Sequence, residues 1–304
     1  MADELRIGGA PGSDIIVAEV VRRGALLLLA DRASLRNHPA LVNLSGPMPG
    51  AATEQINILG LDGYDLMSAV SELSAVANTA LTDAQATVTP AMYRLQREIT
   101  DQMAIHDPTG VINPVRLATS MIGAAMMTLT DLIAQEGDGF TQTGSSGVNF
   151  SHDTWIATKA ALTQALVPGP YLMVMKPKSF TDWSTDLESR GGLTQWQPAA
   201  AQMQRLRGTG FAGNYDGVDV FISNKVQAIS TDDANYMFGR GALGYKEVSF
   251  GPAPRSQHVL LDLGPIRVAE SRTESEGETA IVGHYYVGTT TIEGGRGRTA
   301  LGAQ

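Results

Sequence analysis

The sequence predicts an α+β fold. Three observations carry that reading: one long amphipathic helix signal over residues 113–135, two shorter helix signals after it, and strand signals that dominate from Phe211 onward.

Taken in order, residues 1–45 form an N-terminal arm. Ser13 or Asp14 is placed to cap a helix from Ile15, with Val17, Val20 and Val21 on one side, before Pro39, Pro47 and Pro49 break the pattern. Residues 46–112 are mixed. Ile56-Asn57-Ile58 is strand-like, Asp62-Gly63 and Asn78-Thr79 read as turns, and residues 86–100 favour strand but contain Pro90. The stretch reads as an extended two-stranded excursion. Composition alone favours an ordinary surface hairpin.

Asn113-Pro114 starts the long helix, a capping residue followed by proline at the first helical position. Val115, Ala118, Met121, Ile122, Ala125, Leu129, Leu132 and Ile133 recur at three- and four-residue steps, and Gly137 and Gly139 end the run. After a Gly/Ser-rich connection over 140–150, Ser151 caps a second helix that Pro168 stops, and residues 171–175 are a short apolar strand. Ser179 with Asp182 reads as the capping box of a third helix, and residues 199–207 as a fourth. Strands come next over 218–222, 245–250, 258–263, 266–271 and 280–291, with an acidic turn at 273–278. The tail from Gly294 reads as polar.

Composition narrows the function. Hydrophobic residues make up 43% of the 304, enough for a sizeable core. The absence of cysteine excludes disulfides, thiolate metal sites and cysteine nucleophiles. A formal charge of −9 argues against a surface built to grip phosphates, though not against enclosing nucleic acid. The apolar runs are shorter than the roughly 20 residues that span a bilayer, and the N-terminus has no signal-peptide core. The expectation is a soluble protein with no membrane association.

Catalytic constellations are missing. Residues 239–244 satisfy the dinucleotide-binding pattern in letters, with Gly239, Gly241 and Gly244, but that pattern needs a helix after it and residues 245–250 read as strand. The five histidines are scattered at positions that give no metal-ligand spacing. Gly144-Ser145-Ser146-Gly147 has the wrong spacing for a nucleophile elbow. No enzyme, cofactor or metal is expected.

Two segments suggest a family. Residues 211–224 (FAGNYDGVDVFISN) put a glycine-bearing turn ahead of a strand ending in Ser-Asn, and residues 238–245 (FGRGALGY) come after them. With Tyr285-Tyr286-Val287-Gly288 on a late strand, they resemble the major capsid proteins of tailed bacteriophages, of the HK-type phage capsid fold. The order of arm, extended loop, long helix, mixed central domain and final β-region agrees over most of the chain.

That resemblance implies a role for each part of the chain. Residues 1–45 are the arm, 46–112 hold the extended loop and a flanking strand, and 113–150 are a peripheral domain built on the spine helix. Residues 151–247 are the axial domain with glycine turns at Gly213, Gly217, Gly239, Gly241 and Gly244, and 248–304 return to the peripheral domain. Glu274, Glu276 and Glu278 would form the tip of a hairpin meeting its copies near three-fold positions, where cation binding is a possibility left open. The subunit would assemble with itself into pentamers and hexamers of an icosahedral head in the host cytoplasm. That shell would enclose double-stranded DNA without reading its sequence, with scaffold, portal or decoration proteins as further partners. The short arm implies a separate scaffold or none. The alternatives are an encapsulin-type compartment shell, which shares the fold, and a small α/β nucleotide-binding enzyme using residues 239–244.

One departure is informative. Some relatives join subunits covalently through a lysine on the extended loop, whose neutral amine attacks a neighbour's asparagine. The first lysine here is Lys159, so the loop lacks that nucleophile. Mature particles boiled in denaturant are expected to run on a gel as monomers, and a covalent ladder would contradict this.

Overall fold

The structure, a computed structural model, describes residues 35–36, 38–44, 54–59, 83–100, 114–190, 196–198, 210–251, 258–273 and 278–304. The predicted arm helix, the helix over 199–207, Asn113, Glu274 and Glu276 lie outside these residues.

The architecture centres on one long strand, β15 (Glu278–Thr291). Along one edge it pairs antiparallel with β4 (Ala91–Thr100). Along the other edge lie, end to end, β14 (Ile266–Thr273) over residues 278–285 and β12 (Leu243–Glu247) over 287–291. Val287 marks the junction, facing Ala91 on one side and Glu247 on the other. The edges of this six-stranded sheet are extended by β13 (His258–Asp262) beside β14 and β1 (Val42–Asn43) parallel to β12. A separate two-stranded sheet pairs β2 (Glu54–Leu59) with β3 (Asp83–Val88), so the predicted excursion is an antiparallel ribbon and Pro90 separates it from β4.

Helix α1 (Pro114–Gln135) starts at the predicted proline. Of the three- and four-step stripe read from the sequence, Ala118, Met121, Ile122, Ala125, Leu129 and Ile133 are buried and Leu132 is half-buried, with Met126 and Ala134 buried beside them. Each large apolar side chain there contributes on the order of 1.5–3 kcal/mol by leaving water. The stripe lies across β14 and β15. A Cβ at Gly283 of β15 would stand 3.1 Å from Cβ and Sδ of Met121, so the approach depends on glycine. After a 3-10 turn (Glu136–Gly139), β5 (Thr141–Thr143) leads into a second sheet.

That eight-stranded sheet runs in the order β5, β16 (Gly297–Ala303), β11 (Asp232–Phe238), β6 (Tyr171–Met175), β9 (Val218–Ile222), β8 (Phe211–Tyr215) and β7 (Trp196–Pro198), with β10 (Ala228–Ile229) beside β11. The strands β6 and β9 fall where the sequence puts them. Asp216 (φ +50°) and Gly217 (φ +75°) form the two-residue turn joining β8 to β9, with the left-handed pair that such tight hairpins require. Helices α2 (His152–Gln164) and α3 (Pro177–Ser189) cover this sheet with a core of their own. Trp155 stacks on Trp183 at 5.0 Å between ring centroids, and both meet the edge of Tyr215.

Three expectations are corrected. The third helix begins at Pro177, not Ser179; Lys176 occupies the cap position without a side-chain bond, and the Ser179 hydroxyl instead accepts from Asn235 Nδ2 at 3.0 Å. The tail from Gly294 is not a polar end. It forms β16, inserted between β5 and β11, because Gly297 leaves space for the Phe140 ring and Thr299 donates its hydroxyl to the Gly137 carbonyl. Strand β11 is absent from the sequence expectation altogether. All seven of its residues are buried, including Asp232, Asp233 and Asn235. In the pairing of strands, β5 and β16 join the eight-stranded sheet, and β12 joins the six-stranded one.

Two carboxylates that tie the second core together are held below the usual carboxylate range. Asp186 accepts the His152 N–H at 2.8 Å and Arg190 Nε at 3.0 Å, and these bonds lower it against the opposing cost of burial. Asp232 is lowered first by the Ser146 hydroxyl and then by the Gly147 N–H at 2.8 Å. A carboxyl depressed in the folded state stabilises fully above its unfolded pKa of about 3.9 and loses that contribution as pH falls through the folded value. The urea midpoint is therefore expected to owe no change to these groups between pH 7 and 5, and to fall once the pH drops below about 4. Asp186→Asn should start lower at pH 7 and decline less on acidification. Parallel curves for the two proteins would contradict this.

Candidate assembly surfaces

Residues 35–36 and 38–44 lie against both sheets. Leu35, Ala40 and Leu41 are buried, and Val42 and Asn43 add β1 to the edge of β12. At one end the Arg36 guanidinium meets Glu247 Oε2 at 2.5 Å, while Glu247 Oε1 accepts the Tyr285 hydroxyl at 2.6 Å and the Tyr245 hydroxyl donates to the Arg36 carbonyl at 2.9 Å. Burial opposes the charge on Arg36, and the Glu247 carboxylate, joined by the Tyr245 and Tyr285 phenols, more than offsets it, so its pKa stands above the ordinary value. Burial, followed by the negative charge of Glu247, pushes the Tyr285 phenol far up, so it stays a donor.

At the other end His38 Nε2 stands 3.1 Å from Asp219 Oδ2 on β9, and His38 Nδ1 accepts the Ala40 N–H at 3.2 Å. The accepting role at Nδ1 places the ring proton on Nε2, directed at the carboxylate. Asn214 holds the other Asp219 oxygen at 2.8 Å. These partners are separated by 211 and 181 positions, and no local motif announces them.

The five predicted glycine positions separate into two groups. Gly213 sits at an irregularity in the pairing of β8 with β9, and Gly217 in the turn that joins them. Gly239 and Gly241 belong to the crossover from β11 to β12, and Gly244 is the second residue of β12. A Cβ on Gly239 would reach 2.7 Å from the Pro168 carbonyl, Gly241 has φ +89°, and Gly244 is pressed between Ile292 and Leu44. The element after Gly241 is the strand β12, not a helix, so no helix N-terminus meets a phosphate and the dinucleotide reading fails. The crossover lies beside the one from β15 to β16: Gly239 N–H donates to the Arg296 carbonyl at 3.1 Å and Ile292 N–H to the Ala242 carbonyl at 2.8 Å.

Of the predicted acidic tip, Glu278 is the first residue of β15, half-buried, paired with Thr273 and Thr100. The four residues closing that hairpin lie outside the described ones. Among the described residues no group of three or more His, Cys, Asp or Glu could hold a metal ion, and no helix is long and apolar enough to cross a membrane. Strand β4 has no described strand on its second edge, and Met92 (46% exposed) and Leu95 (36% exposed) stand on its opposite faces. Tyr93 and Ile99 of this strand pack against the core, but a ten-residue edge with exposed apolar side chains is a liability in an isolated chain and suits a covered surface.

No protein-family model matches the chain, and no curated protein matches its sequence. Solved structures do. The capsid of Ralstonia phage GP4 superposes with a TM-score of 0.58 at 10% identity, covering 88% of this chain and 89% of that one. The capsid structure of the cyanophage P-SCSP1u gives 0.57 at 12% identity over 88% of both chains. The holo-SrpI encapsulin complex from Synechococcus elongatus PCC 7942 gives 0.56 at 9% identity over 87% and 85%. The α+β architecture built around α1 and β15 is thus the capsid fold, found both in tailed-phage heads and in an encapsulin.

Proposed function

We propose that the chain is the major capsid protein of a tailed bacteriophage, a structural subunit without catalysis that assembles with itself into the icosahedral head. The observation that carries this reading is the match to phage capsid chains over most of both lengths, which leaves little room for a further enzymatic domain in this chain. The β2–β3 ribbon supports the role of an extended loop. Its two strands pair with each other in a sheet separate from the other two, and a neighbouring subunit would cover it. Helix α1 with the six-stranded sheet then forms the peripheral domain, and the eight-stranded sheet with α2 and α3 the axial domain. The hairpin between β14 and β15, with Glu274, Glu276 and Glu278, would meet its copies near three-fold positions. The acidic balance suits a shell that encloses double-stranded DNA without holding it. Scaffold, portal or decoration proteins would complete the particle.

The encapsulin match favours a second reading, a compartment shell with protein cargo. Size exclusion and negative-stain microscopy of the purified chain are expected to show closed shells, and particles from its source should contain nuclease-protected DNA. Closed shells filled with protein would favour the compartment, and a small soluble oligomer would overturn both.

A further inference from the structure

Between the two sheets the described chain crosses three times: at 136–140, at 239–242 and at 292–296. The last two crossovers are bonded to each other, contain Gly239, Gly241, Gly294 and Gly295, and have the makings of a hinge. Residues 35–36 and 38–44 form a further connection of another kind. They are tied to the six-stranded sheet by Arg36 on Glu247, by the Tyr245 hydroxyl and by Leu44 N–H on the Tyr245 carbonyl at 2.8 Å. They are tied to the eight-stranded sheet by His38 on Asp219. His38 stands between Arg36 and Leu44, and the chain turns there, with Leu41 N–H on the His38 carbonyl at 3.0 Å, so movement of one sheet against the other must strain the His38–Asp219 contact or the bonds on either side of it.

We propose that this segment acts as a latch that holds the two sheets in one relative orientation, and that release of His38 from Asp219 frees the hinge at 239–242 and 292–296. The chain before residue 35 leads directly into this latch, so whatever engages that arm gains a handle on the shape of the subunit. The device does not require the shell reading, because it is read in the unassembled chain.

Amide hydrogen exchange on the full-length, unassembled protein tests it. Asp219→Ala cuts the tie to the eight-stranded sheet, whereas Arg36→Met removes one tie to the six-stranded sheet and leaves the Tyr245 and β1 bonds in place. Asp219→Ala is expected to raise exchange about tenfold at Leu44 and at the hinge amides of Gly239 and Ile292, none of which it contacts, and Arg36→Met to raise it less at the same amides. The double variant should add little to Asp219→Ala, since a latch released from Asp219 is already open. Effects confined to the mutated end, multiplying in the double variant while Gly239 and Ile292 stay protected, would overturn the latch. Should either variant fail to fold, Arg36→Lys and Asp219→Asn carry the same test, with smaller increases at the same distant amides expected and purely local ones contradicting.

Discussion

Everything in this fold is arranged around a strand bonded along both edges and crossed by a helix at close range. β15 receives β4 on one side and β14 then β12 on the other, so its fourteen residues organise three separate parts of the chain. α1 can lie across it because position 283 has no side chain to meet Met121. The burial of α1 depends on that approach, and through α1 so does the shared core, in which Leu172, Val174, Tyr236 and Phe238 of the eight-stranded sheet join Ile266, Val268, Ile281 and Tyr285 of the six-stranded one.

The polar groups inside this framework are there on condition of being partnered. A buried carboxylate or amide without a hydrogen bond costs more than most single contacts contribute. Asp233 has the Lys176 ammonium at 2.6 Å, Asn235 bonds the Lys176 N–H and the Ser179 hydroxyl, and Glu247 serves both Arg36 and Tyr285. These bonds also carry information about register. A strand such as β11, flanked by β16 and β6, has pairing groups on both sides, and Asp233 and Asn235 find their partners in one alignment only.

What the sequence discloses depends on how local each cause is. The stripe of α1, the proline at its start, the Ser151 cap of α2 and the Asp216-Gly217 turn are decided within a few residues, and all are legible. β11 is not, because Asp232, Asp233 and Asn235 look like loop residues until their partners, up to 86 positions away, are in place. β16 is hidden for a related reason: its small and polar residues are buried by what they fit against, the Phe140 ring and the Gly137 carbonyl, not by their own hydrophobicity. The start of α3 is displaced because Ser179 and Asp182 imitate a cap that Pro177 pre-empts. The latch leaves no trace in the sequence, since neither Arg36 nor His38 has a partner within reach of a motif. The glycines at 239, 241 and 244 are legible as a turn, but that they line a seam between two crossovers is a property of the folded chain.

The capsid fold tolerates identities near 10% because its demands are geometric: one helix, one long strand and a gap between them of the right depth. Gly283→Val probes that gap directly. Urea unfolding monitored by circular dichroism is predicted to show a loss of about 1–3 kcal/mol, the usual cost of overpacking a closed core, with the slope of the transition unchanged. A variant as stable as the parent to within about 0.5 kcal/mol would mean that α1 does not rest on β15 at this point, and would contradict the account at its centre.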